Sequence, residues 1–179
     1  NKLRFGFNRL SIIDPSENSH QPIWSPSKRY LIVYNGEIYN HAELRTRLSG
    51  KGENIKGYGD TPTLAKCFDE WGIEKTISNL DGMFAIGVWD DLEKKISLVR
   101  DFAGVKPLYY GFDGRLLVFS SQYNQISRHP SYFHNEYENS VLKLYLIQHY
   151  IPSPNALIKN TFSLNPGEII TFNIKGEKF

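Results

Sequence analysis

The chain has 179 residues, a net charge of +2, 40% hydrophobic and 22% charged residues, the composition of an ordinary globular domain with a core of its own. So small a charge gives no argument for nucleic acid or an anionic membrane as partner, and no apolar stretch is long enough to span a bilayer. One cysteine, Cys67, excludes an internal disulfide and any multi-cysteine metal site, and a reducing cytoplasm is the simplest compartment.

In chain order, the near-alternation of apolar residues from Leu3 to Ile13 predicts a strand. Asp14-Pro15-Ser16-Glu17-Asn18-Ser19 reads as a turn-rich loop. A second loop, Trp24-Ser25-Pro26-Ser27, leads into the β-branched and aromatic run Tyr30-Leu31-Ile32-Val33-Tyr34. That run ends in Asn35-Gly36, which predicts a tight turn directly after the strand. His41 to Leu48 is a short amphipathic helix with Asn40 as its cap. Asp60 or Thr61 caps the next helix, which carries Leu64, Cys67, Phe68 and Trp71 at helical spacing and stops at Gly72.

Beyond Gly72 the period changes. Met83 to Trp89 and Lys95 to Arg100 form a strand pair across Asp90-Asp91. Leu108 to Phe112 and Arg115 to Ser120 form a second hairpin across Asp113-Gly114. Val141 to Tyr150 is helical, and Glu168 to Asn173 is a final strand. The polar tract from Gln125 to Asn139 reads as a mobile connection.

Four features bear on chemistry. Asn35-Gly36-Glu37 places a side-chain amide, an unhindered backbone N–H and a carboxylate together, a set able to hold a developing oxyanion; alone, the same residues are a hairpin turn. Arg9, within the apolar run Leu10-Ser11-Ile12-Ile13, needs an anion, either a substrate carboxylate or an acidic side chain of the same domain. Asp60 is either an acceptor for an ammonium group or a helix cap. Cys67 lies on an apolar helix face with no base near it in sequence, so it reads as a structural thiol. The five histidines show no metal-ligand spacing, and no glycine-rich phosphate loop is present.

Taken in order, Arg9-Leu10-Ser11-Ile12-Ile13-Asp14, Gln21-Pro22, Asn35-Gly36-Glu37-Ile38-Tyr39-Asn40, Gly59-Asp60-Thr61, Leu80-Asp81-Gly82-Met83-Phe84-Ala85 and Arg100-Asp101 with Gly104-Val105-Lys106-Pro107-Leu108-Tyr109-Tyr110 form a recognisable series. It resembles the glutaminase domain of glutamine-hydrolysing asparagine synthetases, the class II glutamine amidotransferases. A weaker match follows through Tyr150-Ile151-Pro152-Ser153-Pro154 and Leu164-Asn165-Pro166-Gly167-Glu168.

The resemblance implies an α+β fold of the N-terminal-nucleophile (Ntn) hydrolase type, an αββα sandwich of two antiparallel sheets, incomplete at its N-terminal end. It implies an amidotransferase domain over residues 1–125 and, over 126–179, a connection toward a synthetase domain. The implied activity is hydrolysis of L-glutamine to glutamate and ammonia, for ATP-dependent amidation of aspartate or a related acceptor. By resemblance, Arg9 holds the glutamine α-carboxylate and Leu10, Ser11, Ile12 and Ile13 line the pocket. The Asn35 side chain and Gly36 N–H form the oxyanion hole, while Glu37 and Asp60 bind the amino group. No cofactor belongs to this part; ATP and Mg belong to the synthetase domain. A homodimer is compatible, with no nucleic acid and no membrane.

The departures define the alternatives. The family nucleophile is the thiol of an N-terminal cysteine, but Asn1 carries no nucleophile and Cys67 does not match that motif. The expectation is therefore a chain that lacks the nucleophile segment and releases no ammonia by itself. Ser121-Gln122 stands where the family usually has Ser-Glu, and Asn8 where a different residue often precedes the arginine. The alternatives are a nucleophile-free scaffold or binding module, as in the β-lactam synthetase branch, and an amidotransferase of a cell-surface sugar pathway.

Overall fold

The computed structural model describes residues 3–8, 14, 16–49 and 55–173. Its elements are β1 (Ile23–Trp24), β2 (Tyr30–Ile38), α1 (His41–Ser49), α2 (Asp60–Ile77), β3 (Gly82–Asp90), β4 (Lys95–Arg100), β5 (Tyr109–Phe112), β6 (Leu117–Ser120), α3 (Tyr123–Ser127), α4 (Asn139–Gln148), β7 (Thr161–Ser163) and β8 (Ile169–Asn173). A 3-10 turn, Glu17–Ser19, precedes β1.

Two antiparallel sheets form from these strands. The larger has the order β1-β2-β3-β4-β8 and the smaller β6-β5-β7. Alternation along each strand sends one set of side chains to each face. Ile32, Tyr34, Ile38, Ile86 and Val88 pack against Leu44 of α1 and Leu64, Cys67 and Phe68 of α2. The opposite set, Ala85, Ile96, Leu98, Ile170 and Phe172, meets Leu108, Tyr110 and Leu164 between the sheets. Behind the smaller sheet, the Tyr132 ring lies so close to Gly111 that a Cβ there would come within 2.6 Å of it. With α3 packed on β6 and β5, the layers run helix, sheet, sheet, helix, the expected αββα order.

Several local expectations are corrected. Asn35-Gly36 is no turn: β2 continues to Ile38, and β3 pairs with its whole length, with Asn35 opposite Ala85 and Gly36 opposite Phe84. Residues 3–8 form no strand; Phe5 instead sets its ring edge-on to Phe119 at 5.5 Å. The Asn40 side chain does not cap α1 but bridges to Asn79 O and Asp81 N–H at 2.9 and 3.0 Å. Gly59 holds the capping position of α2, with Asp60 already helical. Gly72, at φ 73°, interrupts the helix as expected, but helical turns resume and run to Ile77. The tract from 125 to 139 is no loose connection, since Ile126 and Tyr132 are fully buried. β1, α3 and β7 were not foreseen; their short lengths leave too few residues for a periodic signal.

Candidate functional site

The candidate site is built on the far end of β2. Residue alternation puts Val33, Asn35 and Glu37 on the face toward the smaller sheet, and Tyr34 and Ile38 on the face toward the helices. Beside Asn35 the two sheets part, leaving an open cleft of about 690 Å³ lined by Asn8, Asn35, Gly87, Phe119 and Gln122 among others. Asn35 thus presents an amide to the cleft where its strand neighbour Val33 presents a hydrocarbon.

Backbone direction at Gly36 follows from its partner across the sheet. Phe84 O accepts Asp101 N–H at 2.8 Å, and Phe84 N–H reaches the Asp101 carboxylate at 3.3 Å. Phe84 therefore spends both polar groups toward β4 and none toward β2. Gly36 and Phe84 are a non-hydrogen-bonded pair, and Gly36 turns its N–H to the outer edge of β2. The same alternation governs its neighbours. Tyr34 N–H and C=O meet the Gln21 carboxamide, Oε1 accepting at 2.5 Å and Nε2 donating at 3.0 Å. Ile38 N–H meets the Asp60 carboxylate at 3.2 Å. Between these two filled positions lies Gly36 N–H.

Glycine is required there. At φ 151° a Cβ on Gly36 would lie 2.0 Å from Met83 O, and one on Gly82 across the strand pair would lie 2.2 Å from Glu37 O. The two backbones touch too closely for side chains at either position.

Asp60 reaches the same edge from the start of α2. Its Oδ2 accepts both Ile38 N–H and the Tyr34 hydroxyl, the latter at 2.5 Å. Oδ1 accepts the Thr61 hydroxyl at 3.4 Å. Burial, followed by the Asp60 charge, pushes the Tyr34 phenol well above its usual range, so it stays protonated and donates.

The turn before α2 is held by a second carboxylate. Asp14 is buried; its Oδ2 accepts the Ser19 hydroxyl at 3.0 Å and the N–H groups of Tyr58 and Gly59 at 3.3 Å, and Oδ1 accepts Ser16 N–H at 3.0 Å. Asp101 does the same for the loop after β4, accepting Val105 and Lys106 N–H at 2.9 Å each. The neighbouring Arg100 guanidinium donates to Gly104 O, Lys106 O and Leu164 O.

Of the residues singled out from sequence, Asn35, Gly36, Glu37 and Asp60 therefore come together along β2. Arg9, Leu10, Ser11, Ile12 and Ile13 lie outside the described residues. Cys67 is fully buried, and burial raises its thiol to about 12, as suits a packing residue. Tyr34, Gln21 and Asp14 were missed as working parts. Tyr34 reads as one more apolar residue of a strand, and Asp14 as a turn former. Gln21-Pro22 belongs to the ordered motif series, but nothing in its spacing assigns the side chain to Tyr34.

Fold and site together define an Ntn-hydrolase-type sandwich with an amide and a backbone donor at a strand edge. Solved structures share the architecture: glutamine phosphoribosylpyrophosphate amidotransferase from B. subtilis superposes with a TM-score of 0.63 at 19% identity, over 92% of this chain and 32% of that one. A structure described as the allosteric regulatory enzyme of purine biosynthesis gives 0.61 at 19% identity, over 90% and 31%. The chain belongs to the glutamine amidotransferase domain family, which it matches over residues 1–179. It is 34% identical over 173 residues to glutamine-hydrolysing asparagine synthetase 1 of Bacillus subtilis, covering 97% of this chain and 27% of that protein. Against a putative glutamine-hydrolysing asparagine synthetase of Mycobacterium tuberculosis it is 35% identical over 170 residues, 91% of the chain and 26% of the relative. With one from Methanocaldococcus jannaschii it shares 33% over 187 aligned positions, 96% and 36%. The chain thus spans about a quarter to a third of the length of these relatives.

Proposed function

We propose that the full-length protein hydrolyses L-glutamine to glutamate and ammonia. The ammonia amidates aspartate or a related acceptor in an ATP- and Mg-using synthetase domain outside these residues, as the names of the relatives suggest. The observation that carries this reading is the Gly36 N–H, turned to the outer edge of β2 beside the Asn35 amide and flanked by edge positions held by Gln21 and Asp60. When a thiolate adds to the glutamine amide carbon, negative charge gathers on the carbonyl oxygen. An amide N–H from Asn35 and the backbone N–H of Gly36 stabilise it, and ammonia then leaves. Water hydrolyses the resulting thioester to glutamate. The attacking thiol is supplied from outside the described residues, since Cys67 is buried and protonated.

In this reading Asp60 Oδ1 and Glu37 receive the substrate ammonium. Arg9 pairs with the α-carboxylate, and Leu10 to Ile13 complete the pocket. The test is glutamate release from L-glutamine by the full-length protein, measured directly. Release with saturation is the expected result, and binding without release would favour a non-hydrolysing domain. The 179-residue chain by itself is expected to release none.

A further inference from the structure

Gln21 has no part in the roles above, yet its carboxamide makes a two-way contact with the peptide groups of Tyr34. Oε1 accepts Tyr34 N–H at 2.5 Å and Nε2 donates to Tyr34 O at 3.0 Å. This is the pattern one backbone makes with another in an antiparallel ladder. β1 ends its pairing on β2 at Ile23 opposite Ile32. Gln21 lies just before β1, where the ladder would next meet Tyr34, and a side chain takes the place of the missing backbone partner.

Position makes the contact consequential. Tyr34 C=O and Asn35 N–H share one peptide plane; Asn35 C=O and Gly36 N–H share the next. Only the two backbone torsions of Asn35 separate the plane Gln21 fixes from the plane that carries the Gly36 donor. On the other side, Ile38 N–H is held by Asp60, itself held by the Tyr34 hydroxyl. On the inner side β3 runs along the whole segment. Among the described residues, Gln21 is the partner of the outer edge just before the donor pair.

We propose that Gln21 is the positioning residue of the oxyanion donors, a side-chain extension of β1 that fixes the aim of Asn35 and Gly36. The inference rests on the glutamine-hydrolysis reading and deepens it. It makes a kinetic distinction. Among the described residues Gln21 has no hydrogen bond to the amino-group acceptor Asp60, and it meets the cleft only through the peptide groups of Tyr34, so its loss weakens charge stabilisation in the transition state more than ground-state binding. Donors aimed less well by a fraction of an ångström lose part of the factor a whole donor supplies.

The test is steady-state glutamate release by the full-length protein and its Gln21→Leu and Gln21→Glu variants, with thermal midpoints recorded alongside. Gln21→Leu keeps the side-chain bulk and removes both hydrogen bonds. Gln21→Glu keeps the acceptor for Tyr34 N–H and loses the donor to Tyr34 O. The expected result is a kcat lowered about tenfold or more in Gln21→Leu and by a smaller factor in Gln21→Glu, with the glutamine KM changed less. An unchanged kcat in Gln21→Leu overturns the proposal, as does activity that falls only in proportion to the folded fraction. If Gln21→Leu does not fold, Gln21→Glu carries the test, and an unchanged kcat there overturns it. Failure of the underlying reading shows separately, as absence of glutamate release from the wild type.

Discussion

The Tyr34 hydroxyl donates to Asp60 Oδ2 at 2.5 Å, joining the middle of β2 to the first turn of α2 inside the core. The same oxygen accepts Ile38 N–H. One carboxylate thereby stitches a helix start to a strand edge. Removing the hydroxyl leaves the ring in place and strips Asp60 of one of two strong donors. Tyr34→Phe is expected to lower stability by about 1–3 kcal/mol and to raise the glutamine KM more than it lowers kcat. Denaturant midpoints and steady-state kinetics check both halves; an unaltered midpoint and KM would dissociate Tyr34 from Asp60.

Asp14 makes stability depend on pH. Hydrogen bonding from the Ser16 side chain most of all, with Ser16 N–H, Ser19 and Tyr58 N–H adding, holds its carboxyl well below the usual range against the opposing effect of burial. The folded-state pKa is below the unfolded one, so its contribution is full above about pH 5 and is lost as pH falls through the acid range. Asp90, also lowered against burial, by hydrogen bonding from Arg29, acts with the same sign. Midpoints measured from pH 7 down to pH 3 are expected to fall below about pH 5. Asp14→Asn is expected to start less stable at neutral pH and to lose less on acidification. An identical acid slope in the variant would contradict this role.

Gly36→Ala is expected to be far more damaging than an ordinary surface substitution. The added methyl would stand 2.0 Å from Met83 O at a backbone angle that favours glycine. Strand β2 must move away from β3, at a cost of roughly 3 kcal/mol or more. Thermal melting of the variant reads this directly. A variant as stable as wild type would mean that β2 and β3 do not approach so closely.

The sheet pairs and their register were legible where alternation was long, as in Lys95–Arg100, which β4 matches residue for residue. The helix through Leu64, Cys67 and Phe68 was legible for the same reason. Asn35-Gly36 was misread locally, because Asn-Gly is a hairpin signal by its own preferences and only the long pairing with β3 shows it extended. Motif order groups Asn35, Gly36, Glu37 and Asp60 in sequence, and the structure sets the first three on β2 with Asp60 bonded to its Ile38 N–H. What holds that set was not legible. Gln21 to Tyr34, Asp14 to Gly59 and Tyr34 to Asp60 are side-chain bonds spanning 13 to 45 positions, and no local pattern encodes them.

In the proposed reaction Asn35 and Gly36 stabilise charge on the glutamine carbonyl oxygen. The most direct measurement is glutamate release by the full-length protein with Asn35→Ala, compared with wild type at saturating glutamine. The expected kcat is lower by about 10²–10³ with little change in KM, the scale of one oxyanion donor. A variant that turns over glutamine at the wild-type rate would contradict it.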